Sequence, residues 1–146
     1  MIEQTIENWH KQLRGELPGG LDALLAEDVV FYSPVVFTPQ KGREITKAYL
    51  NAAYNTFDGD ESEASVGSPA DEERKGFRYV KQVLSGHTAV LEFETEMDGK
   101  YVNGVDIISC NDEGRIVEFK VMIRPLQAVN TVHAQMAAML KRMKAL

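Results

Sequence analysis

Residues 89–110 read AVLEFETEMDGKYVNGVDIISC, and the fold follows from how this stretch alternates. Asp98-Gly99 lies between two extended runs rich in β-branched and aromatic residues, which is the signature of a two-residue antiparallel hairpin. A turn of that length pairs Met97 with Lys100, and so sets Leu91 opposite Asp106 and Phe93 opposite Gly104. In the first run Ala89, Leu91, Phe93, Thr95 and Met97 share one side, while Glu92, Glu94 and Glu96 share the other. The first side is therefore the buried one. Its partners across the hairpin are Val102, Gly104, Asp106, Ile108 and Cys110, which places the Asp106 carboxyl on an apolar face.

Extended runs flank the hairpin at Phe77 to Leu84 and Ile116 to Ile123, behind the turns Ser85-Gly86-His87 and Asn111-Asp112-Glu113-Gly114. The four strands predict an antiparallel meander whose last member adds Val117, Phe119, Val121 and Ile123 to the buried face. On the outer face Val105 and Ile107 sit opposite Glu92 and Glu94. Upstream, Ile2, Ile6, Trp9 and Leu13 keep helical spacing. Leu17-Pro18-Gly19-Gly20 breaks that helix, and a short second helix is expected over Leu21 to Asp28, followed by a strand at Val29 to Tyr32. A loop from Ser33 to Gln40 precedes a third helix from Arg43 to about Phe57. After Pro125, the stripe Leu126, Val129, Val132, Met136, Leu140 and Met143 predicts a C-terminal helix with Lys141, Arg142 and Lys144 in its last turn. Helices set before and after an antiparallel sheet give an α+β fold with one sheet face covered, in a single domain over 1–146.

Of 146 residues 44% are hydrophobic and 26% charged, with 16 Lys+Arg against 22 Asp+Glu. A net charge of −6 carries no basic footprint for nucleic acid, and no apolar run reaches the roughly 18 residues of a membrane span. The acidic start, Met1 to Glu7, is unlike a secretory signal. One cysteine, Cys110, rules out an internal disulfide, so the cytoplasm is the expected compartment. Seven acids and two bases fall within Asp58 to Lys75, a stretch read as a solvated loop. It holds −5 of the charge and leaves the remainder nearly neutral, in keeping with an uncharged, apolar ligand.

A carboxylate on an apolar face is disfavoured as an anion, which raises its pKa and makes Asp106 the candidate acid or base. Buried aspartates also serve simply to satisfy a base, and Arg124 at the end of the next strand is the candidate partner. His10, His87 and His133 lie in separate elements without ligand spacing, so no metal site is expected. Cys110 reads as a small buried hydrophobe. Trp9, Tyr32, Phe37, Tyr49, Tyr54, Phe93 and Phe119 are mostly core, yet their number suits a pocket for a flat apolar molecule, with Tyr32 and Tyr49 able to orient a ligand oxygen.

Leu25-Ala26-Glu27-Asp28, Ser33-Pro34, Gly42-Arg43-Glu44-Ile45, Val105-Asp106-Ile107-Ile108 and Asp112-Glu113-Gly114-Arg115-Ile116-Val117 together resemble the nuclear transport factor 2-like superfamily, in its SnoaL-like and ketosteroid-isomerase-like branches. The resemblance implies a cone-shaped α+β barrel with an apolar cavity between helices and sheet, frequent homodimers and no cofactor. It sets Asp106 at the position of an oxyanion-hole aspartate that stays protonated in an apolar site. It also sets Trp9 where that site has a tyrosine and Ser33 where it has a general-base aspartate. These departures argue against steroid isomerisation itself. The expectation is a small apolar ligand held by Trp9, Tyr32, Ser33, Tyr49, Phe93 and Phe119. Asp106 serves proton transfer of isomerase, cyclase, hydratase or lyase type, or the same fold acts as a ligand-binding or association domain without turnover.

Overall fold

The computed structural model describes residues 1–56 and 76–145. The acidic stretch Asp58 to Lys75 and the side chains of Tyr54 and Met143 lie outside what it describes. Helix α1 spans Ile2–Leu13 and buries Ile2, Ile6 and Trp9 on the face their spacing predicts. Helix α2, Gly20–Leu24, is shorter than expected, because β1 already begins at Leu25 and runs to Tyr32. Leu25 is fully buried and pairs in parallel with Ile116, so tertiary pairing overrides the helical preference of Leu25 to Asp28. Next come β2 (Gln40–Lys41), antiparallel to β1, and α3 (Arg43–Thr56). The two-residue strand β2 falls at the end of what reads as a loop.

The meander is formed by β3 (Arg78–Ser85), β4 (Thr88–Met97), β5 (Lys100–Cys110) and β6 (Ile116–Arg124), and α4 closes the chain at Leu126–Ala145. The sheet has six strands in the order β2-β1-β6-β5-β4-β3. It curves without closing into a barrel, since β1 joins beside β6 and leaves β2 and β3 as its two edges. The hairpin register is as read: Met97 pairs with Lys100, Phe93 with Gly104 and Leu91 with Asp106. Asp98 and Gly99 both have positive φ, 53° and 75°, the conformation a tight hairpin turn demands. Gly104 is required for a different reason, because a Cβ there would lie 2.5 Å from the Met122 carbonyl oxygen and 2.6 Å from Phe93 Cζ.

Phe119, Val121 and Ile123 face inward opposite Ile108, Asp106 and Gly104. Val117 does not, because a bulge at Ser109/Cys110 brings Ile116 opposite Cys110 and buries Ile116 in its place. On α4 the buried positions are Ala128, Val132 and Met136, whereas Leu126, in the first turn, is 72% exposed. On the outer face Val105 opposes Glu92, but Ile107 opposes Val90 rather than Glu94, and Val90 in turn opposes Val83. Two core clusters result. One centres on α1, β1 and Phe119, the other on Phe93, Val102 and α4, and Tyr49, Tyr79 and Val121 pack against both. No helix among the described residues is long and apolar enough to cross a membrane.

Candidate functional site

Between the two clusters lies a cavity of about 650 Å³, within the range of roughly 300–1,000 Å³ typical of small-molecule sites. Trp9, Phe31, Phe93, Phe119, Val132 and Met136 give it apolar walls drawn from α1, β1, β4, β6 and α4. Trp9 is held edge-on to Phe119 with ring centres 5.0 Å apart, and Phe93 stacks on Phe77 at 4.9 Å. Into this wall project three polar groups that form one chain. Trp9 Nε1 donates to the Tyr79 hydroxyl at 2.9 Å, and that hydroxyl donates to Asp106 Oδ2 at 2.5 Å.

Asp106 is 5% exposed. Burial pushes its carboxyl up to about 7 from an ordinary 3.8, and the hydrogen bond from Tyr79 offsets only part of that rise. The Tyr79 hydroxyl is driven well above its usual value by burial, by the charge on Asp106 and by the bond it donates there, with the Trp9 bond acting in the opposite sense. The tyrosine thus keeps its proton near neutrality, and Asp106 is the member that exchanges one. Its Oδ1 takes no hydrogen bond among the described residues. Arg124 is not its partner: the guanidinium Nε donates to Asn103 Oδ1 at 2.8 Å.

Of the residues singled out from sequence, Asp106, Trp9, Phe93 and Phe119 come together on this cavity, and Tyr32, Ser33 and Tyr49 do not line it. Tyr32 points to the other sheet face, where Lys120 Nζ sits 4.8 Å from its ring centre. Ser33 Oγ accepts the backbone N–H groups of Val35 and Val36 at 3.1 and 3.2 Å, closing a local turn that leaves Pro34 at the cavity. Tyr49 stacks on Phe31 at 5.2 Å and borders a second, smaller cavity of about 310 Å³ together with His133 and Met136. Cys110 is buried and free. His87 faces Asp112 at 2.9 Å. His10 lies at the main cavity, 3.0 Å from Gln82 Oε1.

Tyr79 is the residue that strict alternation misses. Counting back from Leu84 opposite Ala89 and Gln82 opposite Leu91, the next inward position would be Val80. A bulge between Tyr79 and Lys81 instead sets Tyr79 opposite Phe93 and leaves Val80 45% exposed. One extra residue in the edge strand therefore turns the tyrosine toward Asp106.

A scan against models of protein families gave no match, and a search of curated proteins gave none. Solved structures do match. A steroid delta-isomerase from Pseudomonas aeruginosa is 29% identical with a TM-score of 0.82, the match covering 99% of this chain and 95% of that one. A bacterial protein with a cystatin-like fold from Silicibacter pomeroyi is 29% identical with a TM-score of 0.73, over 92% of this chain and 83% of its own. A nuclear transport factor 2-like protein of unknown function from Mesorhizobium loti, 23% identical with a TM-score of 0.62 over 84% of this chain and 93% of its own, shares the fold.

Proposed function

We propose that this chain is a member of the nuclear transport factor 2-like superfamily, that its cavity takes a small, largely apolar organic molecule and that Asp106 moves a proton on it. The observation that carries this reading is the buried chain Trp9–Tyr79–Asp106, ending in a carboxyl at about 7 on the wall of an apolar cavity. A general acid or base works best when its pKa lies near the operating pH. With Oδ2 held by Tyr79, Oδ1 is the atom left for the ligand. As carboxylate it takes a proton from carbon beside a ligand carbonyl, the C–H electron pair passing to the enolate. As acid it returns that proton to the same or a conjugated carbon, so each cycle restores Asp106. The activity is of isomerase, cyclase or hydratase type, the compartment the cytoplasm and the assembly a homodimer.

Incubation in deuterium oxide with 2-tetralone, an aromatic β-keto ester and a β,γ-unsaturated 3-ketosteroid tests the reading. The steroid is included because one structural neighbour bears the name steroid delta-isomerase. At least one probe should exchange about 100-fold faster with the protein than with Asp106→Asn, the lower end of what one positioned acid or base contributes. Ser33, bound to two backbone amides where the resemblance places a base, favours a second reading in which the cavity binds without turnover. Thermal stabilisation by a probe without exchange supports that second reading. If no probe exchanges or stabilises, both fall.

A further inference from the structure

We infer that His10 is a second proton-carrying group of the cavity and that the molecule taken there is a β-hydroxy carbonyl compound, which loses water. The inference rests on the reading above, in which Asp106 moves a proton beside a ligand carbonyl, and it names the substrate class of that site.

The edge strand β3 builds two polar pairs with α1. Tyr79 and Gln82 are three residues apart, a spacing that in a regular strand sets side chains on opposite faces. The bulge between Tyr79 and Lys81 instead puts Tyr79 opposite Phe93 and Gln82 opposite Leu91, and both of those partners are buried on the inner face. Each then meets one of two consecutive residues of α1. Trp9 Nε1 donates to the Tyr79 hydroxyl at 2.9 Å, and His10 Nε2 lies 3.0 Å from Gln82 Oε1. All four residues line the cavity.

An amide oxygen only accepts, so Nε2 carries a hydrogen and Nδ1 is the nitrogen that takes up and gives back a proton. Gln82 and Tyr79 together orient the ring, Tyr79 by an edge-on contact with ring centres 5.6 Å apart. Tyr79 thereby touches both proton carriers, His10 through its ring and Asp106 through its hydroxyl. Asp106 is 5% exposed, whereas His10 is only partly buried and stands nearer to water. Set on different elements, β5 and α1, the two serve different atoms of one ligand.

Imidazole exchanges protons at physiological pH. Asp106 as carboxylate takes the proton from the carbon beside the carbonyl, and the C–H electron pair becomes the new C=C bond. The C–O bond at the next carbon breaks with its electrons on oxygen, and protonated His10 supplies the proton that makes the leaving group water. Asp106 ends protonated and His10 neutral; solvent removes the one proton and returns the other. Moving a proton from carbon to carbon needs one carrier, whereas expelling a hydroxyl needs a second, and His10 is placed to be it.

Two compounds that share one carbon skeleton test this, 4-hydroxy-4-phenylbutan-2-one and its acetate ester. Both give the same conjugated enone, followed by its near-ultraviolet absorption, but acetate leaves as an anion and needs no added proton. Asp106→Asn should slow both eliminations about 100-fold, because both break the same C–H bond. His10→Gln should slow loss of the hydroxyl about 100-fold and loss of acetate at least tenfold less. Gln82→Leu, which removes the acceptor that fixes the ring, is the second variant should His10→Gln not fold, and should slow the alcohol about tenfold, again more than the ester. If His10→Gln or Gln82→Leu slows both compounds alike, or neither, His10 is a packing residue and the inference is overturned. Deuterium exchange into a ketone probe with no elimination from either compound overturns it too, while leaving the role of Asp106 in place. Absence of both exchange and elimination removes the proton-transfer reading and this inference with it.

Discussion

Replacing Asp106 with asparagine should reshape the pH dependence of stability in a way that can be worked out from the site. In the folded protein the Asp106 carboxyl titrates at about 7, against an ordinary 3.8. The folded state therefore holds this proton more tightly than the unfolded state. Its contribution is fully present below about pH 4 and is lost as pH rises through about 7. Each tenfold difference in proton affinity between the two states is worth about 1.4 kcal/mol, so the whole effect is about 4 kcal/mol, of which about 3 falls between pH 5 and 8.5. Asparagine keeps an oxygen to accept the Tyr79 hydroxyl and has no charge to bury. Other titrating groups are common to both proteins, so the difference between the two curves isolates position 106. Urea melts across that range should show Asp106→Asn gaining about 3 kcal/mol on the parent as the pH rises, or roughly 5–10 °C in Tm for a domain of this size. Parallel curves would sink this prediction, because they would mean that Asp106 ionises in the folded protein as it does in the unfolded chain.

Trp9→Phe keeps an aromatic ring against Phe119 but removes the donor to Tyr79, and should cost about 1–3 kcal/mol in urea melts through the unmet hydroxyl and the lost packing. Gly104→Ala forces a Cβ against the Met122 carbonyl and the Phe93 ring, and should destabilise by about 1–3 kcal/mol in the same assay, with retained near-UV circular dichroism showing that the fold survives. For the proposed homodimer, sedimentation equilibrium should return twice the chain mass of 16.3 kDa, and a monomer mass at all concentrations would remove that part of the proposal.

What is legible in the chain is local. Asp98-Gly99 fixes the β4–β5 register through the turn itself, so the placement of Asp106 opposite Leu91 follows from a few residues. What is not legible depends on partners distant in the chain. Leu25 to Asp28 has the composition of a helix and becomes strand because β6 offers a parallel edge some ninety residues away. Tyr32 reads as a cavity residue, but its parallel pairing with Lys120 turns it outward while Phe31, beside Phe119, turns inward. The bulges at Val80 and at Ser109/Cys110 each shift the alternation by one residue, which conceals Tyr79 and exchanges Val117 for Ile116. Apolar-polar alternation carries no mark of such an insertion. The acid of the site is therefore legible from its own strand, and the tyrosine bonded to it is not.

The decisive measurement is the titration of the Asp106 carboxyl carbon by ¹³C NMR, assigned by its loss in Asp106→Asn. Its midpoint should lie near 7, with a further rise in Tyr79→Phe, because the bond from that hydroxyl is what holds the value down. A midpoint near 4 in the parent, or no movement in Tyr79→Phe, would contradict the proton-transfer role built on this carboxyl.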